Sequence, residues 1–464
     1  MPLKRYLLAA LLCLPLAAGA QDPGVQGKSL ETPEQLEQAL ASVEDVDSLL
    51  QLAGQLREAG EVAKETLVWK RLAALRPHVG AMRYELAAGY ALQDMKSEAY
   101  NTLLELQAAG FAQELEKDER FQKVSTTEVW KYIVQGFQSN RDSFGEGEVA
   151  YTLPREDLLI ESLAYDPSRG QLLVGSVREG RVYTVEEDGS LQVLAQADET
   201  NGMWGVLGVA VDAERGVLWV ASTAVPHFKG YNAEEDLGKA GIFKFELASG
   251  KFVKSFLSPS VPGQGFVLST ITVAPDGSVY AADAVNNVIY QVRDDSFRRL
   301  LQAPHLSSVR ALAVSGDSKI LYFNDVQRGL FGMDLATGKP FDVPVPPKLT
   351  LASIEAMAWW NNHLIIVQNE LPPNRIMRLK MSDDGRQIML GHPLEANQQA
   401  LPLQAGAALG KDAEVFVIGN SQRNQYDRFG LPRSRERLEG ARIYRFRADF
   451  EMERVEARPT QFAR

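Results

Sequence analysis

The sequence predicts an α+β chain in two parts, an N-terminal arm of helical repeats followed by a six-bladed β-propeller. Three observations carry that expectation. A unit of apolar strands recurs six times after residue 148, and its copies are spaced as four-stranded blades are. The residues before them are rich in Ala, Leu, Glu and Gln, with apolar positions three and four apart, and they repeat at a period of 34.

The first residues read as an export signal. Lys4 and Arg5 precede an apolar run over 7–16, and small residues end at Ala20. Cleavage after Ala20 would leave a periplasmic or secreted chain without the single cysteine, Cys13, and would take the net charge from −11 to −13. No later stretch holds eighteen uninterrupted apolar residues, so no membrane span is expected. The acidity argues against nucleic acid, whose phosphates demand Lys/Arg-rich surfaces.

The arm is placed at 21–145. Thr32 before Pro33 reads as a helix start, with Thr as cap and Pro in the first turn. Leu52 and Ala53 recur as Leu86 and Ala87, Leu56 as Tyr90, and Trp69 as Leu103. With Pro77 closing the first unit and Ala99 in the second, this pattern resembles the tetratricopeptide repeat. Such repeats imply a groove for a protein partner; a helical cap packed on the next domain explains the same pattern. The arm carries −7 of the charge, which favours a cationic or neutral partner.

Gly145 and Gly147 break the helical pattern, and the propeller is placed at 146–455, with a tail at 456–464. Its inner strands align as ESLAYD (161–166), LGVAVD (207–212), STITVA (269–274), RALAVS (310–315), EAMAWW (355–360) and AGAALG (405–410). Each is followed by a second apolar strand, and then by a third such as RVYTV (181–185) or RIYRF (442–446). Equivalent positions are 46, 62, 41, 45 and 50 residues apart. Radial closure of six blades removes exposed sheet edges, and a strand near 149–153 is expected to close the ring by joining the last blade.

The six units resemble the calcium-dependent propellers of the gluconolactonase/regucalcin type, together with paraoxonases and NHL-type propellers. In that family a Glu opening the first inner strand ligates a divalent metal, which implies Glu161 as a metal ligand. The resemblance also implies Asn and Asp ligands from later blades, but those positions hold Leu207, Ser269 and Arg310. Calcium wants six to eight oxygen ligands. The mouth of the channel is therefore read as Glu161, Ser269, Arg310 and Glu355, an internal ion-pair cluster or a site for a small polar ligand carrying both charges.

A further polar set, Ser176, Ser222, Asp283, Asn324, Asp325, Asn369, Asn420 and Ser421, falls at the ends of second strands. Asn and Asp suit strand ends because they bond nearby backbone, and the same side chains suit a polar pocket, so Asp283, Asn324, Asn369 and Asn420 stand as ligand candidates. His227, in the long insertion, and Trp204, before the second inner strand, are loop candidates at the same mouth. No nucleophile elbow or phosphate-cradling loop is present.

The function expected is an exported binding or scaffold protein. Its propeller would recognise a small polar ligand or peptide and its helical repeats would dock a protein partner, with no cofactor required. The alternative is a lactone or ester hydrolase of the gluconolactonase class that uses Ca2+ or another divalent metal.

Overall fold

The computed structural model describes residues 32–259, 263–369 and 371–451. The expected signal segment and the tail at 456–464 lie outside these residues.

The arm opens with α1 (Pro33–Leu40), whose start is a capping box. Thr32 Oγ1 accepts the Gln35 N–H at 3.3 Å, and Gln35 Oε1 accepts the Thr32 N–H at 3.3 Å. Two helix pairs follow, α2 (Val46–Glu58) with α3 (Val62–Leu75) and α4 (Gly80–Leu92) with α5 (Lys96–Ala108). Both members of the first pair recur 34 residues later, so the sequence period is the spacing of helices in space. Short 3-10 turns and α6 (Glu128–Ser139) end the stack, burying Phe121, Val124, Trp130, Ile133 and Phe137 against α4 and α5.

Six four-stranded antiparallel sheets follow, spanning 160–196, 205–257, 268–302, 312–342, 354–396 and 405–447. The sixth has three strands of its own and takes Glu148–Thr152 as its fourth, paired with Arg442–Arg447. This is a six-bladed propeller closed by its own N-terminal strand. Second strands such as Ile320–Asp325 are buried along their whole length because neighbouring blades cover both faces. Outer strands such as Leu191–Gln196 are largely exposed. The core lies between blades: Leu163 and Val174 of the first pack with Phe416 and Ile418 of the last, and Tyr322 stacks on Trp359 with centroids 5.5 Å apart.

The segment at 145–148 is no free linker. A Cβ on Gly145 would fall 2.1 Å from the Glu395 carboxylate, and one on Gly147 would fall 2.3 Å from the Tyr444 ring. The Gly147 N–H donates to Glu395 at 2.8 Å, and Tyr444 donates to the same carboxylate at 3.0 Å. The glycines let the chain pass hard against blades 5 and 6.

The arm sits over one end of the propeller. Among the described residues, the hydrogen bonds from its helices and inter-helix loops reach blades 4 and 5 and the loop joining them. Arg76 donates to Gln327 at 3.0 Å, Thr350 to the His78 carbonyl at 2.6 Å, the Ala112 N–H to Pro372 at 2.6 Å, and Arg375 to the Ala109 carbonyl at 2.7 Å.

Candidate functional site

The first residues of the inner strands are set by a recurring irregularity. Register shifts fall between Ile160 and Ser162, Val206 and Gly208, Leu268 and Thr270, and Ile354 and Ala356. The skipped residues are Glu161, Leu207, Ser269 and Glu355. A bulge re-aims a side chain out of the pleat, and these four line a single cavity at the mouth of the channel. In blade 4 the equivalent Arg310 precedes the strand. The Asn324 side chain holds it there, accepting the N–H groups of Arg310 and Ala311 at 3.2 and 2.7 Å and donating to Ile354 at 2.7 Å.

The cavity measures about 2670 Å³ and has two walls. The propeller supplies the channel, down to Tyr165, Val211 and Trp359. The arm supplies the first helix of each pair, with Arg57 of α2 and Tyr84 and Glu85 of α4. This face of the helical arm therefore looks onto the channel mouth.

At that mouth Glu161, Arg310 and Glu355 come together around a fourth residue, Arg423. Glu355 lies 3.2 Å from Arg423 and 3.6 Å from Arg310, while Arg423 is 4.0 Å from Glu161. Ser421 donates to Glu161, and Arg310 donates to Ser308 at 3.0 Å. Burial pushes the Glu161 carboxyl above the usual carboxylate range, a rise that Arg423 and Ser421 only partly offset. Ser269 Oγ is buried without a hydrogen-bond partner among the described residues.

Other candidates stand elsewhere. Asp283, Asn324, Asn369 and Asn420 lie at the same end of the sheets but behind the mouth, and they are not on the cavity wall. Their side chains are spent on backbone. Asp283 accepts from Val267, Val285 and Asn286, Asn369 exchanges bonds with Gln404 at 2.6 and 3.0 Å, and Asn420 accepts the Arg442 N–H at 2.6 Å. Desolvation explains the placement, because a buried strand end with open N–H groups needs a fixed acceptor. Trp204 also misses the mouth. It packs edge-on to Phe243 in the core and donates to Asp236 at 3.0 Å. His227 does line the cavity, edge-on to Tyr426, and burial with the nearby Arg178 holds its pKa below the ordinary value.

Arg423 was not picked out as a site residue from the sequence, although the polar segment 420–426 that carries it reads as one that reaches over the channel. It arrives on the hairpin after Asn420, in a 3-10 turn (Arg423–Gln425) that no strand pattern fixes. The other wall of the cavity carries a second network. Glu85 accepts from Arg57 at 2.6 Å and from Arg120 at 2.8 Å, and Asp118 accepts from Tyr84 at 2.9 Å.

The donor set at the mouth does not fit a calcium ion. The two carboxylates there already face two guanidinium groups, and a fixed positive charge beside each one opposes a dication. Among the described residues, no three His, Cys, Asp or Glu side chains are grouped as a metal site. No helix among them is long and apolar enough to cross a membrane.

The fold and site define a six-bladed propeller whose channel mouth is roofed by a helical repeat arm. No protein-family profile matches the chain, and no curated protein matches it. Solved structures of similar shape include a protein described as a putative oxidoreductase (glucose dehydrogenase) from Thermus thermophilus and the calcium-binding protein regucalcin from Agrobacterium tumefaciens. Both are 14% identical, with TM-score 0.43 and 65% of this chain covered; the match spans 99% of the first protein and 93% of the second. A chain of the nidogen/laminin complex is also similar, at 14% identity and TM-score 0.39, over 56% of this chain and 96% of that one.

Proposed function

We propose that the protein binds a small polar ligand carrying both charges in the cavity between arm and propeller. The observation that carries this reading is the arrangement of Glu161, Glu355, Arg310 and Arg423 around one mouth. Two carboxylates and two guanidinium groups in a roofed cavity offer matched partners to a zwitterion. A ligand carboxylate would take the guanidinium forks in place of Glu355, and its cationic group would take the freed carboxylates.

The arm, read as a tetratricopeptide-like repeat, belongs to this site because its groove faces the same cavity. A peptide partner held by that groove would present its end to the channel mouth. Export through the segment at 1–20 completes the proposal.

A second reading, hydrolysis of a lactone or ester, rests on a different observation. Glu161 is a buried carboxyl with a raised pKa, as suits proton transfer, and Arg310 and Arg423 stand where charge on a carbonyl oxygen would develop. Lactone or ester hydrolysis is the reaction that the resemblance to the metal-dependent gluconolactonase class suggests, and here it would run on the chain's own side chains.

Thermal-shift titration with a panel of amino acids and short peptides tests the first reading. Saturable stabilisation that is lost in Arg423→Gln and Glu355→Gln is expected; absence of any shift overturns it. A lactone and aryl-ester panel tests the second, and turnover that survives unchanged in Glu161→Gln would sink it. Dialysis against calcium, zinc and manganese decides the metal question, since stoichiometric uptake abolished by Glu161→Gln would restore a metal centre.

A further inference from the structure

A second pair of arginines meets across the junction of arm and propeller. Arg76 follows the last turn of α3 and is only 7% exposed. Its Nε donates to Gln327 at 3.0 Å and its Nη1 to the Leu75 carbonyl at 3.1 Å, so part of its fork is unused. Arg328, next in sequence to that Gln327, points a buried Nε at no hydrogen-bond partner. Both arginines line the cavity, together with Ser307 and Ser308.

Among the described residues no carboxylate forms an ion pair with them. The nearest acid on the propeller side, Asp325, is fully buried and spends its oxygens on the backbone N–H groups of Ser307, Ser308, Gln327 and Arg328. Asp325 and, less strongly, Asp47 of α2 act on Arg76 only at a distance, without a hydrogen bond to it. Among the described residues neither guanidinium forms an ion pair. Two like charges brought together out of water are costly unless something of opposite charge completes them.

We infer that Arg76 and Arg328 form an oxyanion site, one that takes the carboxylate or phosphate group of a small molecule between the arm and blade 4. The planar guanidinium fork matches either group with paired N–H donors. Ser307, whose hydroxyl donates to Gln327 at 3.3 Å, adds a hydroxyl at the same wall. The site is built from residues other than the mouth network, so it stands whether or not a zwitterion binds at Glu161 and Arg423. An anion here touches both domains and holds the arm down on the propeller.

Calorimetric titration of the full chain with inorganic phosphate, and separately with malonate, tests this at low ionic strength. Saturable binding of at least one anion is expected, and the stronger of the two identifies the phosphate or carboxylate class. Arg328→Gln should weaken it by at least about tenfold, the worth of one charged hydrogen-bonding group. Arg328→Lys, which keeps the charge but not the fork, should weaken it as well, while Lys319→Gln, an exposed charge on the same blade, should bind as wild type. If Arg76→Gln fails to fold, the two Arg328 variants carry the result. No saturable heat with either anion, or equal binding in Arg328→Gln, overturns the site.

Discussion

Arg375 Nη1 lies 2.7 Å from the carbonyl oxygen of Ala109, a bond between blade 5 and the end of α5. The guanidinium is buried, its Nε donates to Gln368 at 2.9 Å, and burial pulls its pKa down to about 10. What holds the charge is the C-terminal end of a helix, where unpaired carbonyls carry partial negative charge. The cost of burying an arginine is thus spent on docking the arm. Arg375→Ala would leave the Gln368 and Ala109 oxygens without this donor, at about 1–3 kcal/mol each. The expected outcome is an arm that detaches before the propeller melts. Urea unfolding followed by tryptophan fluorescence should split into two steps, and a single wild-type-like transition would contradict it.

The same junction carries a pH dependence. The His78 carbonyl accepts from Thr350, and its Nδ1 accepts the Leu351 N–H at 3.4 Å. Burial, with help from Arg83, lowers its pKa from 6.5 to about 4. A histidine with a depressed folded pKa binds more protons when unfolded, so stability rises with pH across that window. The docked arm is fully stable above about pH 6.5 and loses up to about 3 kcal/mol as pH falls towards 4. His78→Gln removes a protonation site and should flatten that slope. Melting temperatures of both proteins between pH 4 and 7 check it, and parallel curves would refute the assignment.

How much of this was legible in the sequence depends on range. The blades were legible because each strand repeats a local grammar, as ESLAYD and EAMAWW do. The helix spacing was legible for the same reason. Placing Glu161, Ser269, Arg310 and Glu355 at one channel end needed only the alignment of the repeated inner strands. The polar segment 420–426 was legible as one that reaches over the channel, but Arg423 as the partner of Glu161 and Glu355 was not, since those residues belong to other blades. Asn369 and Trp204 show the opposite error: polar and aromatic residues near strand ends look like site residues until their bonds to Gln404 and Asp236 are seen. Nothing local relates His78 to Thr350 or Arg375 to Ala109, so the roof over the channel emerged only in three dimensions.

Ring closure rests on a tight passage. A Cβ on Gly147 would meet the Tyr444 ring at 2.3 Å and the Arg445 carbonyl at 2.8 Å, and the second of these is backbone that cannot swing aside. Gly147→Val should therefore displace Glu148–Thr152 from blade 6 and cost about 1–3 kcal/mol, the usual toll of overpacking. Hydrogen exchange should show lost protection in Arg442–Arg447, the strand it pairs with. Unchanged protection there would mean that the sheet absorbs the extra carbon atoms.

The charge network at the mouth predicts opposite pH behaviour for two variants. Glu161 has a raised folded pKa, so the folded state holds the extra proton and the native protein loses stability as pH rises through that pKa. Glu161→Gln can keep the Ser421 contact and has no charge to desolvate, so its advantage over wild type should grow from pH 4.5 to pH 8. Arg423→Gln removes the group that draws Glu161 down and that also faces Glu355 at 3.2 Å, so its deficit should grow over the same range. Melting curves of the three proteins at both pH values separate these slopes. If the two variants instead run parallel to wild type, burial at Glu161 is relieved by solvent and the mouth is no tuned site.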